Sequence, residues 1–264
     1  MPELPDVEGF KAYFEKHALR SQITAIHAPD ARILRDTSPQ ALGRRLKGEI
    51  FAKTHRHGKF LFAQPEAESG WMVMHFGMTG FLESFECEDD EPEHASVVFE
   101  FEEGNKLAYV SQRMLGRVGW VDDLAAFIEN QELGPDALSE DLSADRLAEI
   151  LCGHRGMLKS ALMNQAIVAG IGNEWSDEIL FQCGLHPKVG IDELEFNDLS
   201  EVCRTGKRVL RTGSGARKNS HSLPHHYLGV HRHTDGKCPK CGHDLETVKA
   251  LSRTAYFCPK CQKS

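Results

Sequence analysis

The sequence lacks the features that would place a protein in or across a membrane. It contains no run of about 18 apolar residues, the minimum for a transmembrane helix. Its first ten residues, MPELPDVEGF, carry three acidic residues and lack the basic and apolar regions of a secretory signal peptide. We therefore expect a cytoplasmic protein with no membrane partner.

The chain also lacks a net positive charge, because its formal charge at pH 7 is −8. That value argues against a protein that coats nucleic acid with a uniformly basic surface. The charge is unevenly divided, however, since residues 203–264 contain thirteen Lys and Arg residues but three acidic ones. A basic C-terminal region on an acidic body is typical of a protein with one phosphate-binding face, although a charged, solvated tail has the same composition.

Cysteine spacing forms a pattern only near the C-terminus. Two CxxC pairs, Cys238 with Cys241 and Cys258 with Cys261, are separated by sixteen residues. Each pair can supply two sulfurs to a tetrahedral metal, and the interval fits a β-hairpin that brings the pairs together. We predict one structural Zn²⁺, because four thiolates leave no open position for a substrate. A thioredoxin-like redox site would need a single CxxC in a βαβ context, which the pattern lacks.

The hydrophobic pattern divides the chain into a β-rich part and a helical part. Residues 3–18 have apolar positions at helical spacing, and many short β-like runs separated by turn residues follow, which is typical of a sandwich or a barrel. The second half is predicted to contain helices at 122–130, 143–152, 157–164, 173–183 and 196–211, then a loop at 212–223. We predict an α+β multi-domain protein with domains at 1–130, 131–220 and 221–264.

The N-terminus carries the most informative chemistry. A small second residue such as Pro2 normally permits removal of the initiator Met, which would leave Pro2 with a free secondary amine. An α-amino group is partly neutral near pH 7, so it can attack the C1′ carbon of a sugar and form an iminium (Schiff-base) intermediate. Glu3 is next to it and can move protons. From these residues alone, a helix start with acids near the positive end of the dipole remains the simpler interpretation.

Three segments resemble the formamidopyrimidine-DNA glycosylase and endonuclease VIII family, in that family's order and spacing. Residues 1–8 resemble its PELPE-type N-terminus, 157–187 resemble its helix–two-turn–helix (H2TH) segment, and 252–258 with the four-cysteine spacing resemble its zinc finger. The resemblance spans nearly the whole chain. It implies an N-terminal β-sandwich with flanking helices, a helical H2TH domain and a C-terminal zinc-finger β-hairpin.

The resemblance also implies an activity, that of a bifunctional DNA glycosylase/AP lyase of base excision repair. Such an enzyme would act as a monomer on damaged double-stranded DNA in the bacterial cytoplasm or nucleoid. Pro2 would be the nucleophile that removes a damaged, oxidised base through a Schiff base, and Glu3 the general acid/base. The strand would then be nicked by β,δ-elimination. Lys59 and Arg253 match positions that contact phosphates at the lesion and support catalysis.

Four more positions match DNA-binding residues of the family. Asn173 matches the H2TH asparagine that binds a backbone phosphate, and a helix start preceded by glycines suits an anion site. Met78, Arg113 and Leu115 match the residues that fill the space left by an everted base. Taken singly, Met78 and Leu115 are also consistent with ordinary core residues.

Several positions depart from the family pattern. Asp6 stands where Glu is usual, Glu174 stands where an apolar residue is usual, and 111–115 lacks the family's Asp-Pro-Arg-Arg-Phe. These changes keep open a non-catalytic DNA-binding member of the same fold, and an unrelated zinc-ribbon module fused to a β domain is a third hypothesis. The short basic loop after Arg211 favours pyrimidine or bulky lesions over 8-oxoguanine.

Overall fold

The chain forms two compact units with different secondary structure. The computed structural model describes residues 1–67, 69–86, 90–219 and 221–263. Unit 1 comprises Met1–Pro2 and Asp6–Gln131, and unit 2 comprises Glu3–Pro5 and the chain from Glu132 onwards. Most strands lie in unit 1 and most helices in unit 2, as the hydrophobic pattern predicts. Within the described ranges, no helix is both long and apolar enough to cross a bilayer.

Unit 1 contains two β-sheets and short helices. Its helices are α1 (Leu4–Ala18, whose first two residues are assigned to unit 2), α2 (Pro39–Leu46) and α3 (Leu124–Asn130). Its strands are β1 (Ile23–His27), β2 (Leu34–Arg35), β3 (Phe51–His57), β4 (Phe60–Pro65), β5 (Trp71–His75), β6 (Phe81–Phe85), β7 (Ala95–Phe101), β8 (Lys106–Val110) and β9 (Arg117–Val121). The sheet orders are β2-β9-β5-β4-β3 and β1-β7-β8-β6. Strands β2 and β9 run parallel, and the other neighbours are antiparallel.

The two sheets of unit 1 enclose one hydrophobic core. Three phenylalanine rings pack edge to face across it. The ring centroids of Phe14 in α1 and Phe51 in β3 are 5.1 Å apart, and those of Phe51 and Phe99 in β7 are 6.2 Å apart. All three side chains are fully buried. Such edge-to-face pairs add to the stabilisation from buried apolar area. The alternative of a barrel is wrong, because the strands form two separate sheets, and the sandwich is confirmed.

Tyr109 of β8 is a fully buried member of this core that carries a polar group. Its hydroxyl donates to the carbonyl oxygen of His75 at 2.8 Å, and burial raises the pKa of Tyr109 so that the donor stays protonated. Gly116, just before β9, packs directly on that hydroxyl, and a Cβ there would overlap it and lie 2.7 Å from the His75 oxygen. The absence of a side chain at Gly116 therefore allows the loops that follow β5 and β8 to approach each other.

Unit 2 is mainly helical and ends in a β-hairpin. Its elements are α4 (Ala144–Leu151), α5 (Leu158–Met163), α6 (Asn173–Cys183), α7 (Phe196–Lys218), β10 (Glu246–Ala250) and β11 (Arg253–Phe257). The centre is α6, in which every residue from 175 to 181 is buried. Leu4 also belongs to this core, and its backbone N–H donates to the carbonyl oxygen of Gly170 at 3.0 Å.

Helix α7 runs seven residues beyond its predicted end, so the predicted loop is wrong for residues 212–218. The Gly- and Ser-rich sequence there is typical of a loop, but tertiary packing overrides it. Gly213 lies against the indole of the buried Trp175, and a Cβ at this position would overlap the ring. The Ser214 hydroxyl donates to the carbonyl oxygen of Leu210 at 2.8 Å, a bond within the helix that avoids an unpaired buried hydroxyl.

The substitution Gly116→Ala should destabilise unit 1, because the added methyl group would overlap the Tyr109 hydroxyl. We expect the free energy of unfolding to fall by about 1–3 kcal/mol, as is usual for overpacking. Gly43→Ala is the matched control. Gly43 lies inside α2 with nothing within 4 Å of an added Cβ, and alanine should stabilise a helix there by ~0.5–1 kcal/mol. Urea unfolding measures both, and equal shifts would contradict this assignment.

Candidate functional site

The carboxylate of Glu3 is bound by the first turn of α6. Its Oε2 accepts hydrogen bonds from the backbone N–H groups of Gly172 at 2.8 Å and Trp175 at 3.2 Å. Its Oε1 accepts one from the backbone of Glu174 at 3.0 Å. The first N–H groups of a helix have no partner within the helix, and the helix dipole favours a negative charge beside them. Glu3 is therefore buried in a fixed orientation.

Two glycines before α6 permit this arrangement. A Cβ at Gly172 would overlap the carboxyl carbon of Glu3, so any larger residue would displace the carboxylate. Gly170 has a φ of +114°, which a residue with a side chain rarely adopts. Its Cβ would also lie 2.5 Å from a methyl carbon of Leu4. The segment Gly170-Ile171-Gly172-Asn173 thus closely surrounds the N-terminal residues Glu3 and Leu4.

Pro2, the predicted nucleophile, is half-buried and directly precedes Glu3. One short, planar peptide unit joins Pro2 to Glu3, so Pro2 is the immediate neighbour of the residue whose carboxylate is bound. The sequence order alone therefore keeps the predicted amine near the predicted acid/base.

Asn173, the first residue of α6, contacts the zinc-finger hairpin. Its side-chain N–H donates to the carbonyl oxygen of Thr254 at 3.1 Å, and its side-chain oxygen is buried with no hydrogen-bond partner among the described residues. Thr254 follows Arg253, which begins β11 and is exposed. Unit 2 thus brings three of the predicted residues to one region: Glu3 and Asn173 at the start of α6, and Arg253 on the adjacent strand.

Asp177 holds a buried ionic cluster that the sequence analysis did not identify. Its Oδ1 accepts from Lys159 Nζ at 2.6 Å, and its Oδ2 accepts from Arg232 Nη2 at 2.9 Å and from the backbone N–H of Tyr256 at 3.1 Å. We call these four groups the Asp177 cluster. Burial lowers the pKa of Lys159, although Asp177 opposes that shift. An acidic pair, Asp177 and Glu178, between the apolar residues Trp175 and Ile179 of one helix is the signal in the sequence that could have revealed it.

Glu174, which departs from the family pattern, lies beside a cation. One of its carboxylate oxygens is 3.8 Å from Arg232 Nη1, and Glu174 is mostly exposed. The same guanidinium binds Asp177 and stacks over the Tyr256 ring at 5.0 Å. The negative charge of Glu174 therefore faces a positive charge that the Asp177 cluster holds in place.

Lys59 occupies a tight turn in unit 1. The turn Gly58–Lys59 joins β3 to β4, Gly58 has a φ of +56°, and Lys59 is buried. Arg56 supports the turn, since its Nε donates to Glu8 at 2.6 Å and its Nη1 donates to the carbonyl oxygen of Gly58 at 3.0 Å. These contacts hold the backbone of the turn that carries Lys59, the predicted phosphate-binding residue.

His75, at the end of β5, is a second residue that the sequence analysis missed. Burial lowers its pKa from 6.5 to about 4, and the positive charges of Arg117 and Lys59 add to the shift. The neutral ring accepts the Gly77 N–H on Nδ1 at 3.3 Å, so its proton is on Nε2. Its ring lies 4.9 Å from that of Phe60. The imidazole is thus a neutral donor close to Lys59.

The predicted space-filling residues lie on two loops of unit 1 that contact each other. Met78 follows β5 and is 41% exposed, while Leu115 precedes β9 and is 51% exposed. Arg113, on the second loop, is also exposed. Gly77, with a φ of +59°, packs so closely that its Cβ would overlap the Leu115 backbone. Met78 and Leu115 are therefore not core residues, and both are available for contact.

The four predicted cysteine ligands form a site for one structural zinc. Their sulfurs all lie within 4.8 Å of one another, with Cys238 and Cys261 3.7 Å apart and Cys241 and Cys258 3.6 Å apart. Four thiolates about 2.3 Å from one tetrahedral zinc are about 3.8 Å apart, so the geometry fits the ion. When bound, zinc would join the two CxxC turns covalently, and Cys238 and Cys258 pack with the buried Phe181 of α6.

Stability of unit 1 should fall in acid because of His75. Between pH 6.5 and about 4 the unfolded chain binds a proton at this residue that the folded protein does not. The contribution of neutral His75 to the free energy of unfolding is therefore fully retained above pH 6.5. It is lost as pH falls, by at most ~1.4 kcal/mol per pH unit. His75→Asn keeps a hydrogen-bond acceptor but cannot titrate. Urea unfolding from pH 7 to pH 4 should show a shallower slope for the variant, and parallel slopes would refute the prediction.

Family models match most of the chain. The formamidopyrimidine-DNA glycosylase N-terminal domain matches residues 1–118, and the formamidopyrimidine-DNA glycosylase H2TH domain matches residues 133–223. The zinc finger found in FPG and IleRS matches residues 236–263. These matches confirm the sandwich, H2TH and zinc-finger architecture and the structural zinc that the cysteine spacing predicts.

Full-length relatives and solved structures agree. Formamidopyrimidine-DNA glycosylase of Acaryochloris marina is 32% identical over 281 residues (99% of each chain), and that of Pelobacter propionicus is 32% identical over 272 residues (100% of each). Lactococcus lactis Fpg (MutM) with N7-benzyl-Fapy-dG containing DNA has a TM-score of 0.87 at 24% identity, and MutM with carbocyclic 8-oxo-G containing DNA has 0.85 at 25%; both alignments cover 100% of each chain. The chain belongs to the formamidopyrimidine-DNA glycosylase family.

Proposed function

We propose that this protein is a bifunctional DNA glycosylase/AP lyase of base excision repair that removes a damaged, oxidised base from double-stranded DNA. The observation that carries the proposal is the binding of the Glu3 carboxylate by three backbone N–H groups, one residue from Pro2. Membership of the family supports it, as do the relatives named as glycosylases and the structural relatives that hold damaged DNA.

In the proposed first stage, the Pro2 nitrogen uses its lone pair to attack C1′ of the damaged nucleotide. The bond from C1′ to the base breaks, and the base leaves with that electron pair and gains a proton. The Pro2 nitrogen then loses its own proton, and its freed lone pair forms the iminium with C1′ as the C1′–O4′ bond breaks and O4′ receives a proton. Glu3 acts as the general acid/base that carries these protons, a role that requires a fixed position beside the sugar.

The second stage is elimination of the flanking phosphates. Loss of a C2′ proton and departure of the 3′ phosphate with its bonding electrons is the β step. Loss of a C4′ proton and departure of the 5′ phosphate is the δ step. Hydrolysis of the iminium then returns the free Pro2 amine. We assign Lys59 and Arg253 to the phosphates, because cations there offset the charge that develops on each leaving group.

We further assign the remaining predicted residues to DNA binding. Asn173 would contact a backbone phosphate through its second amide N–H, while Met78, Arg113 and Leu115 would fill the space left by the everted base. Exposure of both apolar side chains favours this role over a place in the core. The protein would act as a monomer with a catalytic domain at 1–130, a DNA-binding domain at 131–220 and a finger at 221–264.

Borohydride trapping on duplex DNA with one abasic site tests the nucleophile. Borohydride reduces an iminium to a stable amine, so the wild-type protein should form a covalent adduct with the DNA. A short peptide tag that blocks the Pro2 nitrogen should abolish the adduct, because an amide nitrogen is not nucleophilic. The same tag at the C-terminus is the matched control, and intact mass verifies removal of Met1.

The outcomes separate the hypotheses. An adduct that persists when the N-terminus is blocked would point to a different nucleophile, such as Lys59. If correctly processed, zinc-loaded protein binds the duplex but forms no adduct, it is a non-catalytic DNA-binding member of the family. In that case affinity would survive with a steep salt dependence.

Gly172→Ala should slow base excision without unfolding the protein. The added methyl group overlaps the Glu3 carboxyl carbon and so displaces the acid/base, and a displacement of about 1 Å can reduce a rate by roughly 10²-fold. Gly215→Ala, in α7 with nothing within 4 Å of its Cβ, is the control and should retain full rate. Single-turnover excision is the measurement.

A double-mutant comparison distinguishes displacement from a general defect. If Gly172→Ala acts through the carboxylate, adding it to Glu3→Gln should reduce the rate little further. Independent, multiplicative losses would show that the glycine affects another step.

A further inference from the structure

The zinc-finger hairpin ends in an exposed hydrophobic residue. Strands β10 and β11 pair antiparallel, with Ala250 opposite Arg253, so the turn between them consists of Leu251 and Ser252. Leu251 is 65% exposed, the largest exposure of any large hydrophobic side chain in the described part of the chain. Its side chain therefore gains little from packing within the protein.

The backbone of Leu251 is also unfavourable for leucine. Its φ of +54° lies in the left-handed region, where the Cβ of an ordinary residue crowds the backbone. Two-residue hairpin turns that need such a φ normally hold Gly, Asn or Asp. Leucine at this position thus strains the backbone, and its exposed side chain offsets none of that strain by packing within the protein. Strain of this kind at an exposed tip is typical of binding surfaces.

The surroundings of Leu251 indicate what it contacts. Two exposed cations flank it, Lys249 and Arg253, each two residues away. Lys249 Nζ donates to the hydroxyl of Thr254 at 2.8 Å, which keeps that ammonium close to the tip. A surface with an apolar side chain between two positive charges matches a nucleic-acid strand, in which apolar sugar carbons lie between phosphates. A hydrophobic protein partner would not require the cations.

We propose that Leu251 packs against deoxyribose carbons at the groove edge of the DNA strand whose phosphates Arg253 and Lys249 bind. This inference rests on the proposed function, because it takes DNA as the ligand. Arg253 and Lys249 attract the strand over a distance, and Leu251 supplies a short-range contact that excludes water.

The substitution Leu251→Gly tests the proposal because it should weaken DNA binding without lowering the stability of the protein. Glycine adopts the left-handed φ without strain, so the thermal midpoint of the zinc-loaded, full-length protein should stay unchanged or rise. Affinity for a duplex with one tetrahydrofuran abasic analogue should fall about tenfold, equivalent to ~1.4 kcal/mol. The salt dependence of affinity should be unchanged, since no phosphate contact is lost.

Three further variants act as controls. Leu251→Met keeps an apolar side chain and should bind the duplex with wild-type affinity. Phe196→Ala removes another large exposed side chain, 51% exposed at the start of α7, and should bind like wild type. Arg253→Ala should weaken binding and also reduce the salt slope by about one unit.

Wild-type affinity in Leu251→Gly would overturn the proposal, and so would weaker binding accompanied by a lower thermal midpoint, which would indicate a structural role. Weaker binding in both Leu251→Gly and Phe196→Ala would show a non-specific effect of apolar area and would also reject it. If wild-type protein fails to bind the duplex at all, the proposed function itself fails. That result differs from one in which only the Leu251 variants behave like wild type.

Discussion

The bond between the Glu3 carboxylate and the start of α6 constrains much of unit 2. A helix cannot satisfy its own first N–H groups, and here a side chain from a distant point in the sequence accepts three of them. Gly172 must remain without a side chain for the carboxylate to fit. The same helix then continues as a fully buried segment, so one element both binds the proposed acid/base and forms the core of the unit. A shift of α6 within the core would therefore displace the Glu3 carboxylate.

The Asp177 cluster extends this constraint to the zinc finger. A buried ion pair of this kind contributes little net stability, because removing both charges from water costs as much as their attraction returns. What it supplies is position: one carboxylate holds Lys159 of α5, the Arg232 guanidinium before the finger, and the backbone of β11. The hairpin that carries Arg253 is thus attached to α6 through Asp177 as well as through the packing of Phe181 on the cysteine turns. Both attachments limit the freedom of a strand assigned to grip phosphates.

Sequence reasoning succeeded where the information is local. The spacing of Cys238, Cys241, Cys258 and Cys261 encodes a tetrahedral site directly, and the alternation of apolar residues with turns predicted the β-rich first half. It failed where a contact with a residue far away in the sequence determines the local structure. Gly213 resembles a helix breaker in the sequence, but in the fold it packs against the Trp175 ring. His75 resembles an ordinary histidine, but burial, together with the charges of Arg117 and Lys59, lowers its pKa. The roles of the predicted site residues depend on the same distant contacts, which is why motif matching could name them but not derive their orientation.

Trp175 gives the molecule an internal optical probe. Its indole is almost completely buried against the bare backbone of Gly213, and its own backbone N–H is one of the donors to Glu3. Trp71 and Trp120, the other two tryptophans of the chain, both lie in unit 1. A protein with those two replaced by phenylalanine would therefore emit from a single buried indole in α6. Because the ring packs on α7 while the backbone of the same residue binds Glu3, a shift in emission wavelength would report a displacement of α6 relative to α7, without any attached dye.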